Sequence, residues 1–313
     1  MKTKLLPVFA LASLIPTLHA APLTESTFTE VINQVMVVAG PDKSATPAHT
    51  NELFKAPDRL RTGAASRAEL TAPDHTITRV GANTVFSFEA VGRNLNLEQG
   101  SVLFHSPKGQ GGGTIKSAGV AAAVLGTTLI VSATADGGLK TILLEGKGRV
   151  TLPNGKSVKL KAGQLVYVLP GGKTFSPVLD INLENLVEHS LLVQGFADKL
   201  PSLPLIEQAI ARQNSELAAG NLADTRLPAD TFVNPPDRGN GLDTMDPGVY
   251  QVAMPAPLTP AQLAQLVTII PPNKGSEFPT LGFGNPGGRG FTPVGFSLLG
   301  ALPSRPVTGQ GQP

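Results

Sequence analysis

The sequence predicts a mainly β fold. It is expected as an antiparallel β-sandwich or β-roll of short strands, followed by two amphipathic helices and a disordered Pro/Gly-rich tail. Three observations lead there. Residues 27–170 hold strand after short strand, each four to six residues long and broken by Gly, Pro, Asp or Asn. After Gly172 the apolar spacing changes from two to the helical period. Beyond residue 222 the chain is dense in Pro and Gly, as in NPPDRGNGLDTMDPG and FGNPGGRGF, a composition that disfavours a packed core.

The first twenty residues precede these elements and have the layout of a cleavable export signal. Lys2 and Lys4 supply a positive start, LLPVFALASLIPTL an apolar centre, and Leu18-His19-Ala20 a small-x-small site. The apolar stretch carries Pro7 and Pro16 and is shorter than the roughly twenty residues a membrane span needs. Export is therefore expected, to the periplasm or the extracellular space, with no transmembrane anchor in the mature chain. Losing Lys2 and Lys4 takes the 25 basic residues to 23, against 23 acidic ones, so the mature chain is formally neutral. Lacking both net charge and any run of four Lys or Arg, it has no electrostatic basis for nucleic-acid binding. The absence of cysteine excludes disulfides, a lipoprotein anchor, zinc–thiolate and iron–sulfur sites, and a Cys nucleophile.

Within the β-block, FTEVINQVMVV (28–38) opens a series continued by RAELT, HTITRV, TVFSFE, LNLEQG and SVLFH. In RLRTGAASRAEL (59–70), Thr62-Gly63 is read as a turn. Ala68 and Leu70 are placed on one strand face, Arg67 and Glu69 on the other, and Arg61 and Arg67 are expected as edge or surface charges. TLIVSATADGGLKTILLEG (128–146) predicts a hairpin around Asp136-Gly137-Gly138, and RVTLPNGKSVKL (149–160) one with a type I′ turn at Asn154-Gly155. Gly100, Gly146 and Gly163 each separate two apolar strands and are read as corners of a sandwich or roll.

The 180–221 extension is expected as two helices. NLENLVEHSLLVQG (182–195) places Leu183, Leu186, Val187 and Leu191 on one face, with Asn182 as N-cap and Gly195 as stop. SLPLIEQAIARQNSELAAGN (202–221) places Leu205, Ile206, Ala209, Ile210 and Leu217 similarly, its Glu and Gln residues facing solvent. In the 222–313 tail, LTPAQLAQLVTII predicts a short helix over 259–270.

Motifs for chemistry do not assemble. GGKT at 171–174 has Tyr167 where a phosphate loop needs glycine, and Phe-Ser-Pro follows where a helix should open. GQGGG (109–113) reads as a mobile hairpin tip. His49, His75, His105 and His189 show no metal-ligand spacing and are expected as structural or surface residues. Asp74, Glu98 and Glu145 could converge only through the fold. No catalytic residue, metal or cofactor is assigned, and the binding residues are left open.

In order, the β-block combines Leu-Arg-Thr-Gly at 60–63, Arg-Ala-Glu-Leu at 67–70 and Arg-x-Gly-x-Asn-Thr at 79–84 with four later elements. These are Leu-Glu-x-Gly at 97–100, Leu-Gly-Thr at 125–127, Leu-Glu-Gly at 144–146 and Ala-Gly-Gln at 162–164. This series, over about 28–170, resembles the FecR domain of bacterial iron-transport regulators. The resemblance implies an extracytoplasmic, non-enzymatic module that receives a signal from an outer-membrane receptor. The regulators pass that signal through a membrane span to a sigma factor. This chain shows an export signal in place of a cytoplasmic segment and no second apolar span, so a stand-alone module binding a protein or other extracellular ligand, in signalling or assembly, is expected. Two other readings stay open: a structural envelope or matrix protein tethered by its tail, and a polysaccharide-acting enzyme using Glu98 and Glu145.

Overall fold

The computed structural model describes residues 20–40, 44–134, 136–169, 171–225 and 249–252. The chain divides into two units, Met1–Met254 and Pro255–Pro313, and every described residue belongs to the first. The export signal and the predicted helix 259–270 lie outside the described residues.

Alternating side chains give each strand an apolar face, and the chain buries those faces by passing repeatedly between two sheets. One sheet runs in the order β4 (Leu53–Lys55), β1 (Glu25–Ile32), β6 (Arg67–Thr71), β7 (Ile77–Val80), the second half of β9 (Asn94–His105), β12 (Thr128–Ala133), β13 (Leu139–Glu145), β16 (Gln164–Val168) and β17 (Leu179–Ile181). Beyond β17 it gains β19 (Val249–Val252) and β18 (Leu222–Asp224). The other runs β3 (Ala45–Pro47), β2 (Val35–Val38), β5 (Arg59–Thr62), β8 (Val85–Phe88), the first half of β9, β10 (Gly113–Ser117), β11 (Val120–Val124), β14 (Lys147–Thr151) and β15 (Ser157–Lys161).

Between the sheets lies the main core, including Phe28, Phe54, Phe86 and Phe88, whose ring centroids stand 5.1–5.9 Å apart. A second core, with Leu103, Ile130, Ile142 and Leu165 on the far side of the first sheet, is covered by Leu183, Leu186, Leu192 and Ile206. The result is three layers: an outer sheet, a middle sheet and a helical cover. Strands of the middle sheet are therefore buried on both faces, as in β7 and β12, whereas outer-sheet strands such as β10 and β11 alternate.

Gly100, Gly146 and Gly163 stand where predicted, at corners between sheets. β9 crosses from outer to middle sheet at Gly100, β13 leads into β14 across Gly146, and β15 into β16 across Gly163. At Gly100 the requirement is strict: φ is +92°, and a Cβ would sit 2.4 Å from Thr84 Cα. LNLEQG and SVLFH are consequently one strand bent over the sandwich edge, not two.

Several expectations are corrected. The sandwich is not wholly antiparallel, because β10 runs parallel to β9, pairing Thr114 with Asn94. GQGGG therefore belongs to the crossover that returns the chain to the same sheet direction, not to a hairpin tip. Thr62-Gly63 is a corner carrying the chain from β5 in the outer sheet to β6 in the middle one. The 149–160 hairpin forms, but Pro153 favours an ordinary type I turn and only Gly155 has positive φ, +82°. Leu152 N–H donates to Lys156 C=O and Gly155 N–H to Leu152 C=O, closing a three-residue loop with a glycine bulge.

The first predicted helix splits into α1 (Leu183–His189) and α2 (Leu191–Gln194). Ser190 is extended (φ −70°, ψ 121°). Its N–H closes α1 on Leu186 C=O, and its own C=O starts α2 by accepting from Gln194 N–H. The break turns Leu192 and Val193 inward and leaves Leu191 55% exposed, against expectation. Asn182 caps α1 as predicted, its side chain accepting from Asn185 N–H. The second predicted helix is α3 (Leu203–Ala218). Its Gln213 is not a solvent residue: it accepts from Leu183 N–H and donates to Ile181 C=O, tying α3 to the end of β17. Beyond residue 221, β18 and β19 extend the middle sheet where only tail was expected.

Candidate functional site

The motif residues of 59–84 turn out to build the fold. Thr62 Oγ1 donates to Gly81 C=O and accepts from Thr84 N–H, while Thr84 Oγ1 accepts from Ser101 N–H. Asn83 N–H reaches Gly63 C=O. Together these bonds satisfy the polar backbone of a buried sheet-to-sheet corner. Arg79, fully buried, donates to Glu69 Oε2 at 2.7 Å and to the C=O groups of Leu192, Val193 and Asp198, with Phe196 packed on its guanidinium. Glu69 Oε1 in turn accepts from Thr29. This ion pair holds the 192–198 segment onto the middle sheet, and the face opposite Ala68 and Leu70, on which Glu69 was placed, is buried beneath it. Arg67 also lies under this segment, its Nε–H reaching Gly195 C=O, and is neither an edge nor a free surface charge.

A second polar group lies beneath the start of α3. Thr128 Oγ1 stands 2.9 Å from His105 Nδ1, 3.1 Å from Glu145 Oε1 and 2.8 Å from Ser202 Oγ. Burial raises the Glu145 carboxyl above its ordinary range, against the opposing pull of the Thr128 hydrogen bond and the Lys108 charge. Burial, followed by the Arg79 charge, lowers the His105 imidazole. All four residues are buried and His105 contacts Thr128, not the Ser202 hydroxyl, so the group has neither the access nor the order of a nucleophile relay.

The other sequence candidates stay apart. Glu98 lies on the solvent face of the outer sheet paired with Arg59, Glu145 lies under α3, and Asp74 pairs with Arg93 at 2.7 Å. His49, His75 and His189 are exposed. Among the described residues no three His, Asp or Glu side chains come together as a metal site.

One surface open to a partner among the described residues is the solvent face of the outer sheet where β11, β14 and β15 meet. A groove of about 560 Å³ lies there, floored by Gly148 and bordered by Leu125, Lys147, Arg149, Lys159 and Lys161. The register sets Lys147 directly across from Lys161, and Arg149 across from Lys159. Like charges placed opposite each other oppose pairing, yet two such pairs occur in five residues of hairpin. None of the four cations takes part in an ion pair among the described residues; Arg149 alone has a polar side-chain contact, to Ser157 Oγ. Sequence reasoning missed this site although it predicted the hairpin: a two-residue turn at Asn154-Gly155 would set Arg149 across from Leu160, and only the register of the three-residue loop sets it across from Lys159.

The family model described as FecR protein matches residues 58–149. This chain carries a FecR domain. The match begins just before β5 and ends within β14, so it includes the Thr62–Thr84 corner, Arg79, and the Lys147 and Arg149 side of the groove. Lys159 and Lys161 lie beyond the matched stretch. No curated protein matches the chain. Two crystal structures from Parabacteroides distasonis ATCC 8503, each described provisionally as an anti-sigma factor, are similar to it in part. One, at 2.50 Å resolution, shares 16% identity with a TM-score of 0.38, covering 44% of this chain and 64% of the other. The second, at 1.65 Å, shares 13% identity with a TM-score of 0.37, covering 67% and 91%.

Proposed function

We propose that this FecR-domain chain is an exported, non-enzymatic module of the bacterial cell envelope that binds another protein in signalling or assembly. The observation that carries the reading is the unpaired cationic groove on the solvent face of a FecR-containing sandwich. Two further features support it. The buried titratable residues Glu69, Arg79, His105 and Glu145 serve as fold locks, and the N-terminal residues have the layout of a cleaved signal. Among the described residues no helix is long and apolar enough to cross a membrane.

A photo-crosslinking residue placed at Lys147 in cells tests the binding role, with the same residue at Leu191, 55% exposed on the helical cover, as control. A defined adduct from position 147 and none from 191 is expected; equal, diffuse labelling would sink the reading. Fractionation with N-terminal sequencing tests export, and a chain beginning at Ala21 in the envelope or medium is the expected product.

A further inference from the structure

The edge of the outer sheet specifies more closely what such a partner offers. Among the described residues β15 pairs with β14 alone, so one side of it lacks a strand. The bond from Leu152 N–H to Lys156 C=O fixes the phase of the antiparallel ladder. By alternation, Val150 and Val158, and Gly148 and Leu160, exchange ladder bonds, while Ser157, Lys159 and Lys161 turn their N–H and C=O groups away from β14. The Lys161 N–H accordingly meets Gln164 Oε1 outside the ladder. All three residues are exposed, and Val158 and Leu160, between them, face the core.

Those outward-turned residues also bear the charges. Lys159 and Lys161 are two residues apart on one face, about 7 Å along a strand, and Arg149 and Lys147 stand beside them. That spacing equals the repeat of alternate side chains in an extended peptide. We propose that β15 is a docking edge for an acidic, extended segment of a partner protein. The segment adds as a further strand, with alternating Asp or Glu side chains lying over Lys159 and Lys161. A second copy of this chain fits poorly, because two-fold pairing of β15 with itself would again set cations opposite cations. A polyanion without a peptide backbone would use the charges but leave the ladder groups unmatched.

The inference rests on the protein-binding reading above, and its test separates the two. The full chain is titrated with an eight-residue peptide alternating Glu and Thr, with the same peptide N-methylated at alternate residues, and with inorganic polyphosphate. The unmodified peptide is expected to bind, to slow hydrogen exchange at the Ser157 and Lys159 amides, and to lose about tenfold in affinity with Lys159→Glu/Lys161→Glu. N-methylation, or Ser157→Pro, should weaken it several-fold with every cation kept, since proline removes only an outward N–H; Ser157→Ala controls for the lost Arg149 contact. Equal binding of both peptides, or of polyphosphate with no effect of Ser157→Pro, would overturn the strand-addition proposal in favour of a simple anion patch. No peptide binding would also overturn it, and would leave the lysines as guards against edge pairing. If position 147 still crosslinks a protein in cells in either case, the broader function stands.

Discussion

At Arg79 a guanidinium with no exposed surface is held by one carboxylate, three backbone carbonyls and one aromatic ring. Removing it would strand the Glu69 carboxylate, itself 4% exposed, in a low-dielectric layer. Arg79→Met is thus expected to cost about 3–5 kcal/mol, measured by denaturant unfolding, and to raise hydrogen exchange first over 190–199. The His105–Thr128–Glu145–Ser202 group makes a pH-dependent prediction. Glu145 is raised when folded, so its stabilising contribution is complete below pH 4.5 and is lost as pH rises through the folded value. His105 is lowered, so its contribution is complete above pH 6.5 and is lost as pH falls. Glu145→Gln keeps an acceptor for Thr128 and removes the cost of ionisation. The variant should melt above the wild type at pH 7, with the gap closing toward pH 4, as read by thermal melts across that range.

Elements in this chain are defined as much by where they bend as by their propensities. β9 serves both sheets because Gly100 alone tolerates the close approach of Thr84. Gly100→Ala should therefore cost about 3 kcal/mol or more, combining positive-φ strain with overpacking, and a shifted unfolding midpoint would show it. The aromatic cluster in the same core predicts about 3–5 kcal/mol for Phe54→Ala, since Phe54 touches three other rings and is fully buried. α1 and α2 teach the converse lesson. Their apolar spacing reads as one helix, but burial of both Leu186 and Leu192 against a twisted sheet required the turn at Ser190, and Leu191 was left outside.

Over the whole described unit, the FecR match of 58–149 does not coincide with a unit that can close its own core. β6 pairs with β1 and β5 with β2, both upstream of the match, while β13 pairs with β16 and β14 with β15 downstream. A fragment of 58–149 would expose four such strand flanks and both apolar layers. It is expected to be unfolded or aggregated by circular dichroism and size-exclusion chromatography, whereas 21–254 should give a cooperative transition.

Much of this was legible along the chain. The period-two strands, the corner glycines at 100, 146 and 163, the Asn182 cap and the ordered FecR signature are local properties, because φ preference and alternation act within a few residues. The sequence by itself determined a mainly β fold, the positions of its corners and its FecR domain. Only the tertiary structure decided that Arg79 and Glu69 meet under a helical cover, that Gln213 ties α3 to β17, that β10 returns parallel to β9, and that four scattered cations line one groove. Each of these depends on which elements pack together and in what register, where burial and strand pairing, not local preference, choose the neighbour.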